Sequence, residues 1–172
     1  MFLVRPETTA DHSAVYKVVS TAFKTADEAE LVNRLRPILN VISLVALHNE
    51  KIVGHIMFSP VALIDENDQP ITIKIIGLAP VAVSPEHQHV GVGKALINAG
   101  LEVCQKSGYQ ACVLLGHPDY YPKFGFKPAL SVFGIRSTYE VPDPVFMALE
   151  LESGALNEKS GTIHYHPTFN GV

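Results

Sequence analysis

Leu78-Ala79-Pro80-Val81-Ala82-Val83-Ser84-Pro85-Glu86-His87-Gln88-His89-Val90-Gly91-Val92-Gly93-Lys94 is the stretch that decides the fold. An apolar run gives way to a polar turn at Ser84-Pro85-Glu86, and a glycine-spaced segment then opens a helix. The first amides of a helix lack intrahelical partners, and the aligned peptide dipoles leave partial positive charge there. Such an end is a ready anion site. Gly91 and Gly93 carry no side chains to keep a diphosphate from those amides, and Lys94 adds charge. An isolated G-x-G step also fits a plain turn into a core helix. The third glycine and downstream carboxylate of a nicotinamide fingerprint are not in place, and Gly91-Val92-Gly93-Lys94-Ala95 lacks the spacing and hydroxyl of a Walker loop.

Upstream, Phe2 to Arg5 reads as a short strand, and Thr8 or Thr9 caps a helix with Val15, Val18, Val19, Ala22 and Phe23 on one stripe. A second helix is expected over 27–39, with Leu31, Val32, Leu35 and Ile38 inward and Pro37 near its end. The period then changes. Runs over 41–47, 52–64 and 71–83, separated by turns at His48-Asn49-Glu50-Lys51 and 65–70, predict three strands in an antiparallel meander. Downstream, the helix from Gly91 to Lys106 buries Leu96, Ile97, Gly100, Leu101 and Cys104, and Gly108 ends it. Ala111 to Leu115 is wholly apolar, as a strand buried on both faces would be. A short helix over 119–124 and a strand over 145–151 follow. The expected class is α/β, a mixed sheet with helices on both faces.

A chain of 172 residues suits a single domain, with its core over about 2–151 and the tail 152–172 unassigned. Hydrophobic residues make up 47% and charged residues 17%, so the chain folds. Its net charge of −4, with 13 scattered basic residues, argues against a nucleic-acid partner. Cys104 and Cys112 sit in apolar contexts, read as buried free thiols of a cytoplasmic protein. The start turns polar too soon for a signal peptide, and no apolar run is long enough for a membrane helix. Of the eight histidines, only His87-x-His89 and His164-x-His166 are closely spaced; neither has partners at ligand spacing, so no metal is expected.

Gln88, Gly91 and Gly93, placed after a strand and before a helix, resemble the signature of the GNAT superfamily of N-acetyltransferases. A second segment, Tyr120-Tyr121-Pro122-Lys123-Phe124-Gly125-Phe126, resembles that family's Tyr-x-x-x-Gly-Phe step, with Tyr121 in the tyrosine position. With Gly116-His117-Pro118 before the tyrosines, the wording looks most like the YhbS-like bacterial branch. The resemblance covers about 2–151. It implies a central, mostly antiparallel sheet and acetyl-CoA as cosubstrate. It also implies that backbone groups of Val81 and Val83 meet the acetyl and pantetheine arm, that the amides of His89, Val90, Gly91, Val92, Gly93 and Lys94 hold the diphosphate, and that Ala82 and Gln88 belong to the same cofactor-binding stretch. Many relatives carry an Asn after the strand that precedes the tyrosine segment; here Gly116-His117-Pro118 stands in that stretch.

Acetyl transfer to an amine needs a neutral amine near the carbonyl carbon, a donor for the carbonyl oxygen and a proton for the leaving thiolate. Tyr121 is the expected general acid, since a phenol with an ordinary pKa near ~10 stays protonated at neutral pH. Glu28, Glu30 and His117 are the candidate bases, alongside a chain of waters. The acceptor is expected to be a small-molecule or peptide amine, with no membrane partner, and dimers are common among proteins of similar sequence. A non-catalytic acyl-CoA sensor on the same fold, and a transferase using another acyl donor, stay open.

Overall fold

The longer apolar runs become strands and helices among the thirteen regular elements of the computed structural model, which describes residues 2–170. In chain order they are β1 (Leu3–Pro6), α1 (His12–Phe23), α2 (Asp27–Leu35), β2 (Ile42–His48), β3 (Lys51–Ile64), β4 (Ile75–Val83), α3 (Val92–Lys106) and β5 (Ala111–Leu115). Then come β6 (Lys127–Pro128), α4 (Ala129–Phe133), β7 (Ile135–Ser137), β8 (Phe146–Glu150) and β9 (Gly161–His164). Two compact units result. The first takes the chain up to Ser59, Leu78–Val103 and the residues from Pro167 on; the second takes Pro60–Gly77 and Cys104–His166.

In the first unit β1 and β3 flank β2, both antiparallel to it, with registers Val4↔Ala46 and Val45↔His55 and a bulge at Ala46/Leu47. Thr8 and Asp11 form a capping box ahead of α1, and Arg5 grips the Asp11 carboxylate at 2.7 and 3.0 Å. That ion pair and the Thr8 amide hold Asp11 well below the usual carboxylate range. Val15, Val18 and Val19 are buried as their spacing requires, whereas Phe23 is 39% exposed at the helix end.

α2 stops at Leu35, four residues earlier than expected. Pro37 has no N–H to continue the ladder, and the Ile38 amide turns back to Leu35 O. Ile38 is therefore half-buried rather than inward, and Leu39 is exposed. α3 settles close to β3, since a Cβ at Gly54 would lie 2.9 Å from Val92 and Leu96 side-chain atoms.

In the second unit, β4 and β5 pair in parallel from Ile75↔Ala111 to Gly77↔Val113. β8 runs antiparallel to β5 over its whole length, and β6 adds to β8. β4 starts at Ile75, not Ile71, because Pro70 and the turn before it bring the chain back late. The tail is not structureless: β9 pairs antiparallel with β3 and parallel with β7. Leu63, Ile75, Ala111, Val113, Ile135, Phe146 and Ile163 share this unit's core. Ala111 to Leu114 are buried, as a strand covered on both faces must be. The fold is a mixed α/β one with a mostly antiparallel sheet. Among the described residues no helix is long and apolar enough to cross a membrane.

Candidate active site

The loop from Ser84 to Gly91 belongs to the first unit and is held at three points. The Ser84 amide donates to Val53 O at 2.8 Å, the His87 amide to Ser84 O at 2.8 Å, and Gln88 Nε2 to Val83 O at 3.0 Å. Gln88 thus braces the turn from β4 with its own side chain. His89 and Gly91 both take positive φ, 64° and 99°. A side chain at Gly91 would meet nothing within 4 Å, so its demand for glycine is conformational and its surroundings are open. The Gly91 carbonyl accepts the Ala95 amide at 3.0 Å, which starts α3.

Val92 is buried, Gly93 is half-buried and Lys94 is exposed in the first turn. The open backbone at Gly91 and the unpaired amides of the first turn of α3 fit a diphosphate. Sequence reasoning missed Gly54, which seats this helix start against Val92, Leu96 and the Ala82 carbonyl. A glycine inside the β-type run 52–64 was the available signal, since glycine in a strand marks close approach of another element. The ring of His87 also meets that of His48 at a tilt, with centroids 5.6 Å apart.

Glu28 and Glu30 lie on α2 in the same unit. Glu28 Oε2 accepts the Thr25 hydroxyl at 3.0 Å, a local bond across the helix start. Glu30 is exposed, and its Oε1 accepts the Tyr16 hydroxyl from α1 at 2.7 Å.

The tyrosine segment belongs to the second unit. The expected helix over 119–124 is a tighter 3₁₀ turn, Tyr121–Phe124, preceded by Pro118 and ended by Gly125 at φ 99°. The Tyr120 amide reaches back to His117 O at 3.2 Å. Tyr121 is half-buried among rings. Tyr120 meets it edge-on at 5.1 Å, and Phe126, which is fully buried, edge-on at 6.0 Å. Burial pushes the Tyr121 phenol up to about 12, with smaller contributions from Tyr120 and Cys112. His117 is largely exposed, and its Nδ1 accepts the Asp119 amide at 3.2 Å. In the neutral ring that bond places the proton on Nε2. Among the described residues no three His, Cys, Asp or Glu side chains converge in a geometry that could hold a metal ion.

Residues 3–129 match the family model of the acetyltransferase (GNAT) domain. The chain is 39% identical over 140 residues to the uncharacterized N-acetyltransferase YjhQ of Escherichia coli, covering 78% of this chain and 74% of that one. It is 31% identical to E. coli YhbS, also named an uncharacterized N-acetyltransferase, over 98% of both chains. The crystal structure of YhbS in complex with CoA superposes with a TM-score of 0.88, covering 98% of this chain and 92% of that one. A Brucella melitensis GNAT acetyltransferase in complex with acetyl-CoA, 30% identical, superposes at 0.78 over 99% of both chains. The braced loop at the start of α3 is thus found in a chain whose likeness to acetyltransferases runs nearly end to end, and this protein belongs to the GNAT acetyltransferase family.

Proposed function

We propose that this chain forms one acetyltransferase domain that moves the acetyl group of acetyl-CoA to a primary amine. The observation that carries the donor assignment is the start of α3: positive φ at His89 and Gly91, open space over Gly91 and unpaired first-turn amides. Two similar proteins whose structures hold CoA or acetyl-CoA support it. In this reading the amides from His89 to Lys94 take the diphosphate, and the backbone of Val81, Ala82 and Val83 takes the pantetheine arm and acetyl group. Acetyl-CoA supplies an acyl group already activated as a thioester. The chain's own residues bind, orient and manage protons.

Tyr121 is the group we place at the sulfur. Its burial keeps the phenol protonated across the physiological range. Against a free thiol near ~8.5, loss of that proton runs uphill by roughly 3.5 pH units. The phenol therefore acts first as a hydrogen-bond donor to the sulfur as charge builds. Glu28, Glu30 and His117 each already accept one local hydrogen bond. Each carboxylate keeps further lone pairs, so Glu28, Glu30 and His117, with a chain of waters, stay the acceptors we assign for the proton lost by the amine. The two unlinked buried thiols, Cys104 and Cys112, suit a cytoplasmic location.

The test follows thiol release from acetyl-CoA with polyamines, aminoglycosides, amino acids and peptides bearing free N-termini. Tyr121→Phe is expected to lower kcat about 100-fold with little change in acetyl-CoA affinity. Unchanged kcat removes Tyr121 from the chemistry. Tight acetyl-CoA binding with no turnover of any amine makes the chain a sensor instead.

A further inference from the structure

β5 ends at Leu115, and Gly116 follows with its amide donating to Val145 O at 3.0 Å. Its φ is not positive, so its backbone conformation is open to any residue. What reserves the position for glycine is the ring of Tyr121. A Cβ at Gly116 would lie 2.8 Å from Tyr121 Cδ2 and closer still to Cε2, with Leu114 Cδ1 at 3.1 Å. The phenol ring therefore lies directly on the Gly116 backbone. Tyr120 and Phe126 both meet it edge-on, and Phe124 lies at 6.4 Å. Lys123 Nζ stands 4.4 Å over the Tyr120 ring and steadies that wall.

We propose that Gly116 is a positioning residue: its bare backbone is the floor that fixes where the Tyr121 hydroxyl points. This rests on Tyr121 being the donor to the sulfur. Restoring ordinary van der Waals contact after adding a methyl group requires the ring to move by on the order of 1 Å. Because the ring already meets Tyr120 and Phe126, that movement swings its hydroxyl. A displacement of about 1 Å at a reacting group costs on the order of 100-fold in rate. Gly116→Ala should therefore act through Tyr121 and not through the fold or donor binding.

The test is a double-mutant cycle on the full chain with acetyl-CoA and the best amine of the panel. Gly116→Ala is expected to lower kcat about 10- to 100-fold and to leave KM for acetyl-CoA within about threefold. In a Tyr121→Phe background the same change should alter kcat less than about twofold, because the hydroxyl it misdirects is already gone. If Tyr121→Phe is as fast as wild type, the donor assignment fails and the role of Gly116 with it. If Tyr121→Phe is slow but Gly116→Ala is either harmless or equally damaging in both backgrounds, only the positioning role falls.

Two measurements cover failure of Gly116→Ala to fold and absence of a working amine. Tyr120→Leu removes the half-buried ring packed edge-on against Tyr121 and is expected to lower kcat with KM kept; unchanged kcat overturns the proposal. In fluorotyrosine-labelled protein, the ¹⁹F resonance lost in Tyr121→Phe should move in Gly116→Ala, or in Tyr120→Leu if the alanine variant does not fold. A resonance that stays in place overturns the proposal.

Discussion

Acidification should destabilise this protein through one histidine. His55, on β3, is fully buried and opposite Val45 in the strand pairing. Its Nε2 lies 2.8 Å from Ser43 Oγ, and Ser43 donates its own proton to Glu7 Oε1 at 3.0 Å. Glu7 in turn receives Arg36 Nε and one terminal nitrogen at 3.0 and 2.9 Å. A carboxylate cannot give a proton back, so Ser43 Oγ must accept from His55, which puts the imidazole proton on Nε2. Nδ1 is then a bare lone pair with no partner in the interior. Protonation would create a charged, unsatisfied N–H there. Burial accordingly lowers His55 from 6.5 to about 4, against the pull of the Glu7 carboxylate.

Because the folded value lies below the unfolded one, the unfolded chain binds more protons between these values. The contribution to stability is complete above about 6.5 and is lost as pH falls toward about 4. At about 1.4 kcal/mol per unit this amounts to about 3 kcal/mol, a large share of typical domain stability. Guanidinium unfolding from pH 8 to 4.5 measures it, comparing wild type with His55→Leu, which cannot titrate. Wild type is expected to lose about 2 to 3 kcal/mol more than the variant over that range. A wild-type-minus-variant difference that stays flat would refute the uncharged state of His55 in the folded protein. The slope is the observable, so whatever the substitution costs at neutral pH does not enter. Glu7, also held below its ordinary value, acts in the same direction but in a lower window, near and below 4.5.

Two further changes probe the loop and the helix that follows it. Gly91→Ala places a side chain at φ 99° with nothing to clash against, so its cost is conformational, about 1 to 2 kcal/mol. The dissociation constant for CoA measured by calorimetry should rise about 5- to 30-fold, and an unchanged value would show that the loop does not need this conformation to bind. At Gly100 a Cβ would lie 2.5 Å from Phe58 Cζ, inside the closest packing of α3 on β3. Gly100→Ala should cost about 1 to 3 kcal/mol in unfolding, and a midpoint equal to wild type would mean that Phe58 has somewhere to go.

The elements legible in the sequence were those whose cause is local. Val15, Val18 and Val19 announce the buried stripe of α1, and Gly108 at φ 89° closes α3 as a terminal glycine should. Errors fell where distant chain decides. β7 and β9 are three and four residues long and form against each other and β3, so no periodicity marks them. β6, of two residues, and α4, of five, also escape a reading by period. Of the candidate site, the loop from Gln88 to Lys94 and the ring at Tyr121 could be picked out, but not what holds them. Gly54 and Gly116 read as ordinary glycines until the side chains of Val92, Leu96 and Tyr121 are seen lying on them.

By itself the sequence determined the turn at Ser84, the glycine-spaced step at Gly91 and Gly93, the helix that follows and the family to which these belong. Such features depend on backbone preferences and amide groups within a few residues of one another. Only the tertiary structure decided that Glu7 meets Arg36 and Ser43, 29 and 36 positions away, and that His55 completes the chain of bonds without a proton to spare. Only it placed Tyr121 on bare backbone inside a ring of aromatic edges. Strand register and helix seating set those contacts. They are chosen by the burial of many side chains together, which no window of sequence contains.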